Sequence, residues 1–151
     1  MRRSKPSACW YEDLRYRMRF ESPARQTFRS LSCTQTGKGR KAEIIYRLTV
    51  SVPEYAQSRR ITIRLTNYKR PFLVGVSADG PTNSPHRYSS GHLCIWYPSD
   101  GPELKWQPDE GLLGLIQYTR VHLYREAYWR QFGFWPGPEA PHGETKEPEA
   151  A

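Results

Sequence analysis

From Glu43 the chain takes a period of two, with Ile44, Tyr46, Leu48, Val50 and Val52 on one side and Arg47, Thr49 and Ser51 on the other. A period of two marks a strand with one dry and one wet face. The stretch "RRITIRLT" repeats the alternation through Ile61, Ile63 and Leu65, and "PFLVGVSAD" does so through Phe72, Val74 and Val76. The links "PEYAQS" and "NYKRP" are short, so consecutive strands form an antiparallel meander most economically. "TGKGRK" reads as a turn before the sheet begins, and residues 23–42 otherwise hold no clear period.

Two segments keep helical spacing. Residues 109–131 bring Leu112, Leu115, Ile116, Thr119, Leu123 and Ala127 to one face, with Asp109 and Glu110 suited to the N-terminal end and Gly133 to the stop. "ACWYEDLRYRMRFESP" spaces Trp10, Leu14 and Met18 four apart, with Ser7 as a cap and Pro23 as a stop. Residues 79–109, between the third strand and the long helix, are rich in Gly, Pro, Ser and Asn and hold no regular pattern. An irregular segment of that length in a compact domain is usually functional. The order predicts an α+β fold: N-terminal helix, antiparallel meander sheet, irregular active-site crossing and long C-terminal helix, the helices covering one side of the sheet. One domain over residues 1–143 accounts for most of the 151, and the charged residues 144–151, "ETKEPEAA", read as a disordered tail.

Charge is uneven along this layout. Residues 1–70 carry 17 Lys/Arg against 5 Asp/Glu, and residues 71–151 carry 6 against 10. A basic half facing an acidic partner or nucleic acid fits these numbers, and so does a solvated basic face, since the cations alternate with apolar residues. Three scattered cysteines, Cys9, Cys33 and Cys94, make neither a zinc pair nor an even disulfide framework, which favours a reducing cytoplasm. No apolar run reaches 18 residues and the first residues lack a signal-peptide core, so neither membrane nor secretion is expected.

The chemistry gathers in "SPHRYSSGHLCIWYPSDG", residues 84–101. Cys94 between Leu93 and Ile95 has the setting of a core residue, and free cysteine is among the most buried types. A polar loop with Gly91 precedes it, however, and His86 and His92 stand eight and two residues away. A thiol beside groups that favour the thiolate is the arrangement of a nucleophile. His92 shares a face with Cys94 on an extended chain and is a candidate to polarise the thiol or a reacting carbonyl; an exposed loop histidine is the alternative. His86 has the same balance, and His142 in "PEAPHG" is a third candidate if it folds back over the site. Cys9 and Cys33 have no such setting and read as structural. His122 with Glu126 is a lone i, i+4 pair without an H-E-x-x-H pattern, and no other feature asks for a metal or cofactor. The aromatics of the second half fall mostly at helix spacing in the acidic half, which favours core packing over base stacking.

A leading helix, a strand meander, "NYKRPFLVGV", His86, a gap and then "GHLCIW" together resemble the ubiquitin-conjugating enzyme fold, with Gly91, Leu93, Cys94 and Ile95 on its cysteine motif. "LCIWYP", Trp106, "VHLYREAYWRQ" and "FWPGPEAPHG" are similar to bacterial relatives associated with cyclic-oligonucleotide antiphage signalling. The resemblance implies a thioester carrier. Cys94 would receive the C-terminus of a ubiquitin-like protein, or of a cyclic-oligonucleotide synthase related to the animal DNA sensor cGAS, and pass it to an amine. A separate activating enzyme is implied where one is used, no cofactor is required, and nucleic acid is not expected among the partners. The chain departs from the family where Arg87 and Tyr88 follow His86 in place of Pro-Asn, and the step from histidine to cysteine is shorter. The oxyanion then needs another donor: His92, His86, Asn83 or a backbone N–H. The alternative function is a non-catalytic adaptor on the same fold that binds an acidic protein or nucleic acid through its basic N-terminal half.

Overall fold

The alternating segment forms the middle of a four-stranded antiparallel sheet in the order β1-β2-β3-β4: Ser32–Thr36, Glu43–Ser51, Ser58–Thr66 and Leu73–Ala78. The structure is a computed structural model that describes residues 9–138 and 147–148. Ser7, His142 and the tail apart from residues 147 and 148 lie outside the described residues.

Strand β2 pairs with β3 along its whole length, from Glu43 opposite Thr66 to Ser51 opposite Ser58. That register sets Ile44, Tyr46, Leu48 and Val50 beside Leu65, Ile63 and Ile61 on the buried face. A one-residue slip would turn this whole set to solvent, so the apolar alternation fixes the register. The sheet begins earlier than the pattern predicts. Strand β1 is mostly exposed and polar, so it carries no apolar period, and it pairs with β2 from Ser32 opposite Arg47 to Thr36 opposite Glu43. "TGKGRK" is the β1–β2 turn, with Gly37 and Gly39 both at positive φ.

Helix α1 covers Leu14–Thr27 and α2 covers Gly111–Phe132, and the two pack against each other over the sheet. The α2 face is the predicted one: Leu112, Leu115, Ile116, Thr119, Leu123 and Ala127 are buried, and Gly133 closes the helix in the left-handed conformation. For α1 the expectation needs correction on three points. Asp13 caps it through Tyr16 N, Pro23 lies inside it, and its buried face is Phe20, Glu21 and Ala24, while Leu14 and Met18 are 70% and 65% exposed. Trp10 belongs to a separate 3-10 turn whose indole Nε1 donates to Thr66 O at 2.6 Å, so the Trp10-Leu14-Met18 spacing never lies on one helix. Pro23 forgoes one helix hydrogen bond. Burial of Phe20 and Ala24 on either side offsets that loss.

Between β4 and α2 the chain crosses without regular strand or helix except two 3-10 turns, Pro102–Leu104 and Pro108–Glu110, and one isolated bridge, Arg87 to Leu93. No helix among the described residues is long and apolar enough to cross a membrane.

Candidate functional site

The crossing folds its central residues into a tight hairpin. Cys94 N donates to His86 O at 3.0 Å, Tyr88 N to His92 O at 3.0 Å and Gly91 N to Tyr88 O at 2.9 Å. Gly91 takes φ +90°, a conformation open to glycine and costly for other residues, which lets the chain reverse here. Leu93 N donates to Val76 O and stitches the hairpin to β4. The short step from His86 to Cys94 is therefore the length of a hairpin.

Arg87 anchors this hairpin to α2. Its Nε and a terminal nitrogen reach the two carboxylate oxygens of Glu126 at 2.8 and 3.0 Å, with side chains 5% and 0% exposed. Arg130 adds a contact to Glu126 at 3.2 Å and donates to Asn83 O and Pro81 O. Burial alone would push Glu126 up; the neighbouring His122 ring and the Arg87 fork overcome it and hold the carboxyl at about 2. His122 sits 3.4 Å from Glu126 in poor alignment for a hydrogen bond, and burial pushes its imidazole down, toward the neutral form. The i, i+4 pair weighed as a metal site is half of an ion-paired anchor. Fork-to-fork geometry between Arg and carboxylate is the strong form of such a pair.

Cys94 is 8% exposed and lies in the wall of a groove of about 600 Å³ between the crossing and α2. Its Sγ faces Trp96 O at 3.6 Å and a hydrogen bond from Tyr88. Burial pushes the thiol up, the Tyr88 hydrogen bond draws it back, and the charges of Asp100 and Glu147 push it further up. The resting state is thus a thiol. Cys33, bonded to the Tyr11 hydroxyl at 3.4 Å, is also raised by burial, and Cys9 is half-buried.

The candidate histidines divide around this thiol. His86 is buried in the same groove, its ring 4.2 Å from that of Trp135 and its Nδ1 3.4 Å from the Tyr97 hydroxyl. His92 turns elsewhere: its Nδ1 meets a Glu147 carboxylate oxygen at 2.5 Å, and its ring lies so close to Gly75 that a Cβ there would collide with it. Asn83 accepts from Arg130. The residue beside the thiol that sequence reasoning missed is Tyr88. Its place in the family's asparagine region was the available signal, hidden because a tyrosine there reads first as packing.

A family model for the type II CBASS E2 protein matches residues 12–143. The chain belongs to that family. As an E2-CBASS member it is an E2-like protein of bacterial antiphage defence, and its partners belong to a CBASS system. Comparison with curated proteins and with solved structures gives no match. The helix, meander sheet, crossing and long helix agree with the E2-like fold.

The E2-CBASS chain gives the groove that carries Cys94 an acidic lining. Asp100, Glu103 and Glu110 line the groove, against Arg125. Three carboxylates along a groove with a neutral thiol in its wall make a field that attracts a cation and repels an anion.

Proposed function

We propose that this chain is an acyl carrier in which Cys94 forms a thioester with the C-terminal carboxyl of a ubiquitin-like protein or a cyclic-oligonucleotide synthase, and yields it to an amine. The Cys94 thiol loses its proton as Sγ attacks the activated carbonyl carbon, and the activating group leaves. An amine then attacks the same carbon, the C–S bond breaks, and the proton lost by the amine nitrogen restores the thiol. A thioester is a good acyl donor, so the protein's work is to hold donor and amine together and to steady the oxyanion. Activation comes from a separate chain where an activating enzyme is used. Both partners are met in the cytoplasm.

The observation that carries this reading is the acidic groove with Cys94 in its wall and the Tyr88 hydroxyl bonded to the sulfur. An amine acceptor arrives as an ammonium, which this groove attracts, and gives up one proton to solvent before the neutral amine attacks. Tyr88 takes the part left vacant by the family's asparagine, as the donor nearest the reacting atom. His86 packs behind the groove as a positioning residue.

In the presence of its CBASS partners the wild-type chain gives an adduct that a thiol reductant releases. Cys94→Ser removes that reducible adduct, while Cys9→Ser and Cys33→Ser retain it. A reducible adduct that survives Cys94→Ser defeats the reading.

Burial of the Cys94 thiol favours a second reading, the adaptor that uses its basic half. Five of that half's seventeen cations, Arg17, Arg25, Arg59, Arg60 and Arg64, are ion-paired within the chain, to Glu21, Asp79 and Glu43. Residues 1–70 hold twelve further Lys and Arg, so a net basic half stays available to that reading. Strongly salt-dependent partner binding that is indifferent to Cys94→Ser marks the adaptor.

A further inference from the structure

A second groove, of about 320 Å³, opens on the other side of the hairpin against β4. Its charged wall is basic, from Arg70 and Lys105, and Leu73, Leu93 and Ile95 supply apolar surface. Glu147 and Pro148 lie in it. The Glu147 carboxylate accepts from Ser90 Oγ at 2.6 Å and meets His92 Nδ1 at 2.5 Å, so both oxygens are held by the hairpin that carries Cys94. Gly75 makes room for the His92 ring in that position.

We propose that this groove is a binding site for an acidic, extended peptide segment, with Ser90 and His92 as its carboxylate clamp, and that the chain's own Glu147–Pro148 step occupies it in cis. A residue before proline is confined to extended conformations, so a Glu-Pro step enters the groove with part of its ordering cost already met. The sequence around it, "ETKEPEAA", is acid-rich and matches the basic wall. Glu147 also lies near enough for its charge to work against a thiolate at Cys94 and to raise the Tyr88 phenol. A carboxylate in the clamp, from Glu147 or from a ligand that replaces it, therefore holds the neighbouring thiol in its resting form.

The test uses the full chain and a fluorescent peptide of residues 144–151 as probe. Wild type, whose own Glu147–Pro148 step lies in the groove, binds the peptide weakly, and Glu147→Ala binds it about tenfold more tightly because the tethered competitor is gone. Ser90→Ala with His92→Gln, added to Glu147→Ala, abolishes that gain. Iodoacetamide labels Cys94 faster in Glu147→Ala than in wild type. Equal peptide affinity for wild type and Glu147→Ala, or a gain that survives loss of Ser90 and His92, overturns the proposal. A wild-type dimer that Glu147→Ala dissociates puts the tail in a second copy and overturns the cis contact. None of these measurements needs acyl transfer, so they are decided separately from the carrier reading.

Discussion

The two grooves share a wall and oppose each other in charge. Ile95 and Trp96 line both, yet the α2 side presents Asp100, Glu103 and Glu110 while the β4 side presents Arg70 and Lys105. A single stretch of crossing thus separates fields of opposite sign. Charged ligands are sorted by side: an ammonium is drawn to the groove that carries Cys94, and a carboxylate-bearing segment to the groove that holds Glu147. The hairpin in between is what makes the distinction possible, and its anchor is the Arg87–Glu126 pair.

The largest effect comes from cutting that anchor. Glu126→Ala leaves the buried Arg87 without its carboxylate, and Arg87→Ala leaves the buried Glu126 with only the single contact from Arg130 among its arginines; either costs about 3–5 kcal/mol, read as a lower urea midpoint. Replacing both residues by methionine recovers most of the loss, because no orphan charge remains. The same pair sets the acid limb. Glu126 titrates at about 2 in the folded protein against 4.5 for an ordinary glutamate, so its contribution, on the order of 3 kcal/mol, is full above about pH 4.5 and is lost as pH falls toward 2. His122 is held below its ordinary 6.5, so its protonation on unfolding also removes stability as pH falls. A urea titration from pH 7 to 3 shows both slopes, and an acid limb unchanged in Glu126→Gln refutes the assignment.

Tyr88→Phe comes next, and it separates the thiol's side of the hairpin from mere packing. The ring stays and the hydroxyl beside Cys94 goes. Thioester formation slows by about 10²-fold if that hydroxyl steadies the oxyanion, with the urea midpoint nearly unchanged. A normal rate in Tyr88→Phe assigns the residue to packing alone.

The hairpin and its anchor are also where sequence reading stopped. Strands β2 to β4 and the buried face of α2 follow from period, because an apolar face has to recur at two or at 3.6 residues to be buried at all. Strand β1 has no apolar face, so backbone pairing alone defines it. Helix α1 escapes the pattern because Leu14 and Met18 keep helical spacing without being covered, while the buried face includes Glu21, paired to Arg17 and Arg25. Cys94 stands out in the sequence by its loop and motif, and the fold adds only that it lies in the wall of a groove. Arg87 with Glu126 spans 39 residues, and Glu147 with His92 spans 55. Polar pairs so far apart leave no periodic trace, so only the fold brings them together.

The smallest effect is the sharpest test of the comparison, because it is a crossed one. Glu103 and Arg70 are both exposed, one on each groove. Reversing either charge changes a screened interaction worth up to about 1 kcal/mol, or about fivefold in a rate or an affinity. Glu103→Lys slows transfer to an amine and leaves binding of the 144–151 peptide to the Glu147→Ala chain as it was. Arg70→Glu, in that same chain, weakens the peptide and leaves amine transfer as it was. Both effects shrink as salt rises from 0.05 to 0.5 M, since the Debye length falls from about 14 to about 4 Å over that range. If each reversal alters both readouts equally, the hairpin does not divide two fields, and the grooves are one site.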